Sequence, residues 1–269
     1  MQRWLGPLAI GLLLAGPAGP RAAKAGAAVD LALVLAVDVS LSMDVDEQRL
    51  QREGFVEAFR SPAVHAAIRS GVLGRIAVAY LEWAGLGHQQ VVAPWTVIET
   101  PEDAAAFADR LGRAPPGRAT WTSVSGAIDA SMRLLGQSGV EATRQVIDVS
   151  GDGPNNQGRL VTIARDEAVA KGVTVNGLPL MLKRPTGAWD IENLDGYYRD
   201  CVIGGPGAFL IPVREKDQFA EAIRSKLVRE IAGGFSRSTS RQPLVRPAQA
   251  EARVSCFLGE ERSRQRRDF

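Results

Sequence analysis

Val29-Asp30-Leu31-Ala32-Leu33-Val34-Leu35-Ala36-Val37, followed at once by Asp38-Val39-Ser40-Leu41-Ser42, is the stretch that decides the fold. Its first nine residues are apolar apart from Asp30. A strand with one wet face alternates polar and apolar residues, whereas a strand covered on both faces reads as a near-continuous apolar run. Similar runs occur at 76–83, 145–149 and 173–180. Helical segments fall between them. One covers 46–60, capped by Asp46, with Leu50, Phe55, Val56 and Phe59 available to pack. A short one covers 62–69, with Pro62 near its first turn. A third opens on Thr100-Pro101-Glu102-Asp103 and ends near Gly112. A fourth covers 122–135, with Ile128, Met132 and Leu135 on one stripe. A fifth covers 158–171 and stops at Gly172, and the last covers 216–231 and stops at Gly233-Gly234. Residues 91–98 read as a hairpin partner of 76–83, joined through 84–90, with Pro94 marking an edge or a bulge. Residues 183–206 read as irregular with one helical turn around 190–200, and 208–213 as a final strand. The alternation predicts an α/β fold: a doubly wound, mostly parallel sheet with helices on both faces. Ligands of such sheets bind beyond the carboxyl ends of the strands, which directs attention to the chain just after residues 37, 83 and 149.

After residue 37 stands Asp38-x-Ser40-x-Ser42, and after residue 149 stands Ser150-Gly151-Asp152-Gly153. In a loop leaving a strand, alternate residues can point the same way, and the flanking glycines let the backbone turn sharply around Asp152. Thr120-Trp121-Thr122-Ser123 precedes the fourth helix and adds a hydroxyl. Two carboxylates and three hydroxyls from three loops form an all-oxygen ligand set suited to a hard cation, Mg2+ or alternatively Mn2+ or Ca2+. Taken alone, Asp38-x-Ser40-x-Ser42 reads equally as an ordinary turn with a cap. Asp44, Asp46 and Glu47 read as helix-capping acids. Trp121 reads either as an anchor for a partner or as a side chain packed beneath its loop. Asn155 and Asn156 read as rim residues or as turn residues.

With these residues in place, the chain over about 29–232 resembles von Willebrand factor A domains, and Asp38, Ser40, Ser42, a following threonine and Asp152 resemble their metal-ion-dependent adhesion site. Together with Val202–Phe209 and the last helix ending Lys226–Ile231, the whole is similar to a bacterial family of exported A-type domains, DUF1194, a name that carries no activity. The resemblance implies that Ser40, Ser42 and Thr122 ligate the metal, with Asp38 and Asp152 beside them directly or through water. It also implies that the carboxylate of a partner protein completes the shell. Thr122 is preferred to Thr120 because Ala127-Ile128 follow it at the family's distance. One departure stands out: many A domains read Thr-Asp-Gly where this chain reads Gly151-Asp152-Gly153, which removes a hydroxyl beside the aspartate. The implied function is metal-dependent protein binding, with Trp121 and Asn155 as partner-facing residues. The alternative is a Mg-dependent hydrolase of phosphate-containing substrates.

Composition narrows the remaining classes. Of 269 residues, 45% are hydrophobic and 23% charged, an ordinary globular balance. The net charge of +2 is uneven: residues 26–234 hold 21 basic and 26 acidic side chains, and residues 235–269 hold eight arginines against four acids. A mildly acidic body argues against nucleic-acid binding. The basic stretch 235–269 reads as a disordered tail, with contact to an anionic surface as the alternative. Residues 1–25 read as an export signal, with Arg3, the apolar stretch Leu5 to Ala15 and Ala23-Lys24-Ala25 as the cleavage pattern. An uncleaved anchor is the alternative reading. No apolar run in the body is long enough to span a bilayer, so periplasmic or secreted placement is expected. Two cysteines, Cys201 and Cys256, leave a disulfide open, and with only His65 and His88 beside them a Cys/His zinc site is nearly excluded. Both histidines are expected in exposed positions. Gly-x-Ser-x-Gly, a phosphate loop and a dinucleotide fingerprint are absent from the sequence.

Overall fold

The computed structural model describes residues 26–115, 117–183, 191–233 and 253–265. The expected export signal, 1–25, lies outside the described residues. The elements are β1 (Ala27–Asp38), α1 (Val45–Arg60), α2 (Pro62–Arg69), β2 (Ile76–Trp83), β3 (Gln89–Ile98), α3 (Pro101–Arg113), α4 (Val124–Gly136), β4 (Val140–Gly151), α5 (Val161–Ala170), β5 (Thr174–Pro179), α6 (Leu194–Tyr197), α7 (Phe219–Ala232) and α8 (Leu258–Gln265). A π turn, Tyr198–Val202, continues α6, and a 3-10 turn, Lys216–Gln218, precedes α7.

The sheet order is β3-β2-β1-β4-β5. β1 runs parallel to β2 and β4, β4 runs parallel to β5, and β3 folds back antiparallel on β2. The register of that hairpin slips on either side of Tyr80, opposite the stretch holding Pro94, where a missing N–H cannot continue the ladder. β1 explains the layering. Leu31, Leu33, Leu35 and Val37 point into a core shared with Phe55, Phe59, Phe107 and Leu227 from α1, α3 and α7. Ala32, Val34 and Ala36 point the other way, to Val124, Ile128, Val161, Tyr197 and Tyr198. Period-two alternation survives, but both faces are apolar because both are covered.

Four expectations are corrected. The cap of α1 is Asp44, not Asp46: its side chain accepts from Glu47 N–H while Glu47 returns a bond to Asp44 N–H, a closed capping box. Residues 208–213 form no strand. They follow β5 through single bridges, Gly177 to Leu210 and Leu180 to Val213, where Pro206 and Pro212 lack donors and Gly205 and Gly207 adopt positive φ. Residues 253–265 of the expected disordered tail are ordered, with Cys256 bonded to Cys201 and α8 packed onto the body; 235–252 and 266–269 lie outside the described residues. His65 and His88 are half-buried rather than exposed, and His65 Nε2 lies 2.7 Å from Phe59 O.

One buried node was invisible in the sequence. Lys226 of α7 is 1% exposed, and its Nζ lies 2.5 Å from both Asp148 Oδ1 on β4 and Glu230 Oε1 on α7. Asn176 of β5 donates to Glu230 Oε1 at 3.0 Å and accepts from Phe209 N–H at 3.0 Å. Burial, and then the charge of Asp148, push Glu230 up to about 7. This node ties α7 to the middle of the sheet.

Candidate metal-binding site

The site is assembled at the carboxyl ends of β1 and β4 and at the start of α4. Asp38 ends β1 and is fully buried; its Oδ1 accepts the Ser40 N–H at 2.7 Å, which folds the loop back on the strand. The hydroxyls of Ser40 and Ser42 lie 2.9 Å apart, and Ser42 Oγ donates to Asp152 Oδ1 at 2.7 Å. The loop after β1 is joined to the chain before α4 by Leu41 N–H to Ala119 O at 2.9 Å and Ala119 N–H to Val39 O at 3.2 Å. That chain is joined in turn to the loop after β4. Thr122 N–H donates to Asn156 Oδ1 at 2.8 Å, and Asn156 N–H donates to Thr122 O at 2.8 Å.

Thr122 is buried while Thr120 is exposed. The cap of α4 is Ser123, whose Oγ accepts from Gly126 N–H at 3.1 Å, so the Thr122 hydroxyl is not spent on capping. It faces the loop after β4, and a side chain at Gly153 would stand 3.9 Å from it. The structure therefore brings Asp38, Ser40, Ser42, Thr122 and Asp152 to one rim. Trp121, beside Thr122, is 45% exposed and held at φ 70°, a left-handed conformation uncommon for such a residue.

The electrostatics of this rim are lopsided. Burial, reinforced by the negative charge of Asp152, raises the Asp38 carboxyl well above its usual range, and hydrogen bonds from Ser40 and the Asp152 backbone offset only part of that. Asp38 Oδ2 is buried without a hydrogen-bond partner among the described residues. A positive charge between two such carboxylates would relieve both costs, so the donor set fits a hard cation. Among the described residues no cluster of three His, Cys, Asp or Glu could hold a metal; any site here needs the Ser and Thr hydroxyls. Lys183 stands at the edge, its Nζ 2.8 Å from Ser42 O and 2.5 Å from Glu47 Oε2. Burial disfavours its charge, but the bond to Glu47 and the charges of Glu47, Asp44 and Asp152 outweigh that and raise its pKa. A cavity of about 330 Å³ opens beside the rim, lined in part by Ser42, Asp152, Met181, Lys183 and Arg214.

Asn155 corrects the sequence reading. It is fully buried and faces inward: Oδ1 accepts from Ser125 N–H at 2.9 Å, Nδ2 donates to Arg159 O and Glu260 Oε1, and its N–H donates to Tyr197 Oη at 3.1 Å. A small amide at this turn braces the loop and is not presented to a partner. Sequence reasoning missed two other participants. α8 covers the same loop, with Gly259 against Asn155 O and Ser263 Oγ donating to Asn156 O at 2.9 Å. Tyr198, in the π turn, aims its hydroxyl toward Gly151 and has its pKa raised by burial and then by the charges of Asp38 and Asp152. Nothing in the local pattern of 194–202 marks that residue as part of the rim.

The sheet order, the layers and the placement of the rim define a von Willebrand factor A-type fold, and solved structures agree. Proximal thread matrix protein 1 of mussel byssus, in a structure with a zinc-occupied MIDAS motif, superposes with a TM-score of 0.53 at 10% identity over 77% of this chain and 47% of that one. A von Willebrand factor type A protein from Catenulispora acidiphila gives 0.54 at 14% identity over 76% of this chain and 43% of that one. The pilus adhesin SpaC of Lactobacillus rhamnosus GG gives 0.57 at 11% identity over 80% and 31%. The chain thus spans about half the length of the byssus protein, and less of the other two. No curated protein matches the sequence. The family profile described as "Protein of unknown function (DUF1194)" matches residues 28–235, and the chain belongs to that family.

Proposed function

We propose that this protein is an exported, cation-dependent protein-binding module in which Ser40, Ser42 and Thr122, with Asp38 and Asp152, hold Mg2+, or Mn2+ or Ca2+ in its place. The observation that carries the reading is the hydrogen-bonded chain Asp38–Ser40–Ser42–Asp152, which gathers two carboxylates and two hydroxyls on one rim, with Asp38 Oδ2 buried and without a hydrogen-bond partner among the described residues. Ser40, Ser42, Thr122, Asp38 and Asp152 would hold the cation, which when bound would supply a positive charge able to attract an Asp or Glu carboxylate of a partner protein. Ser40 and Ser42 add oxygen without adding negative charge, so the carboxylate from outside is attracted rather than repelled. Leu41, Leu86 and Trp121, each about half exposed on the loops around the rim, provide apolar contact to a partner. The mussel structure with a zinc-occupied MIDAS and the pilus adhesin are relatives in fold that support this reading by analogy. A Cys201–Cys256 disulfide suits an oxidising compartment, in keeping with residues 1–25 as an export signal. Among the described residues no helix is long and apolar enough to cross a membrane.

Thermal unfolding with Mg2+ and with EDTA tests the proposal. A cation at a hundred times its Kd stabilises by about 2.7 kcal/mol, and Asp38→Ala should abolish that gain while remaining folded. Capture of envelope proteins by the immobilised chain should be reversed by EDTA. A melting temperature indifferent to Mg2+, Mn2+ and Ca2+ would sink the reading.

A further inference from the structure

The ring of Tyr198 is slotted against the ends of two strands by two glycines. A side chain at Gly177 on β5 would stand 2.7 Å from Tyr198 Cδ1, and one at Gly151, the last residue of β4, would stand 3.0 Å from Tyr198 Oη. The same side chain at Gly151 would stand 2.8 Å from Asp38 Oδ2. The phenol oxygen and the inner carboxylate oxygen therefore face one small space over Gly151. Tyr198 and Asp38 are both 0% exposed, and neither Tyr198 Oη nor Asp38 Oδ2 has a hydrogen-bond partner among the described residues. Two buried polar atoms left unmatched are costly, and here one is a donor and the other an acceptor. Tyr198 opens the π turn Tyr198–Val202, which also carries Cys201 of the Cys201–Cys256 bond.

Resting on the cation-site reading above, we propose that Tyr198 is a positioning residue of that site: its hydroxyl donates to Asp38 Oδ2, directly or through one buried water, and sets the orientation of the carboxylate. Gly151 has to be glycine for the two oxygens to approach.

The test uses the full chain with Mg2+ and Mn2+ as probes. In Tyr198→Phe, calorimetric titration should show a Kd raised roughly tenfold or more, the range found when a group supporting a metal ligand is removed. Its melting temperature in EDTA should stay near that of the parent. The parent should give a tyrosine ultraviolet difference band on adding Mg2+; Tyr198→Phe should lose it, and Tyr80→Phe, altered in the opposite core, should keep it. Gly151→Ala, which places a methyl group between Tyr198 Oη and Asp38 Oδ2, should weaken cation binding similarly. Parent-like affinity in Tyr198→Phe would overturn the proposal, as would weakened affinity with the tyrosine band retained. If Tyr198→Phe does not fold, parent-like affinity in Gly151→Ala overturns it. A parent chain that takes up neither cation would overturn the cation site and Tyr198's role together, whereas normal parent binding with an unaffected variant removes only the latter.

Discussion

Two pairs of acidic side chains meet on or just beyond β4, and the molecule treats them differently. Asp148 and Glu230 share the ammonium of Lys226, buried between them. Asp38 and Asp152 meet at the rim four residues further along, where Asp38 Oδ2 is buried without a hydrogen-bond partner among the described residues. Burying like charges is unfavourable wherever it occurs. In the interior the chain supplies the compensating charge itself; at the rim, on the cation-site proposal, the chain would supply oxygens and a bound cation the charge. The closed node thus shows by contrast what the open one lacks.

The sharpest way to break the comparison is to open the closed node. Lys226→Met should destabilise the fold by roughly 3–5 kcal/mol, because it strands two buried carboxylates; chemical denaturation measures this, and a loss below about 1 kcal/mol would show that the node contributes little. Next in size is the bond that holds α8. Cys201→Ser with Cys256→Ser should cost about 2–4 kcal/mol. It should also raise amide exchange in the loop holding Asn155 and Asn156, which α8 covers. Unchanged exchange there would separate α8 from the rim.

The third prediction concerns pH. Glu230 is raised from its ordinary 4.5 to about 7 by burial and then by Asp148. Between those values the unfolded chain has lost a proton that the folded chain retains, so folding takes a proton up. The stabilisation is complete below the lower value and is lost as pH rises through the upper one. Glu230→Gln should flatten the fall in melting temperature between pH 5 and 8, an effect of roughly 2 kcal/mol; a slope equal to the parent's would assign the titration elsewhere. The smallest effect tests the open node. Asp38→Asn in EDTA should stabilise the protein by about 1 kcal/mol, since it removes a poorly compensated buried charge. The two nodes would thus respond with opposite signs, and a destabilised Asp38→Asn would erase the contrast.

Much of the rim was legible because it is local. Asp38, Ser40 and Ser42 follow an unmistakable buried strand, Asp152 follows another, and α/β sheets gather such ends on one side. Choosing Thr122 over Thr120 depends on the resemblance; in the structure Thr122 is buried and Thr120 exposed. What escaped was non-local. Asn155 looks like any polar loop residue until Glu260, 105 positions away, is seen to receive its amide. Tyr198 sits in a segment without periodicity, and its relevance comes from two glycines on other strands. Asp44, Asp46 and Glu47 all suit a helix start, and only Asp44 has Glu47 three positions on to close the box. The Lys226 node was hidden because an i, i+4 lysine–glutamate pair normally reads as a wet helix face.

The Cys201–Cys256 bond has a mechanical consequence. A pull on the chain beyond residue 265 first strips α8 from Asn155 and Asn156, uncovering the loop behind Asp152. The tension is then arrested at Cys256 and crosses the sulfurs into the turn that holds Tyr198. α7 lies within the loop those sulfurs close, so it carries none of the load until a covalent bond breaks.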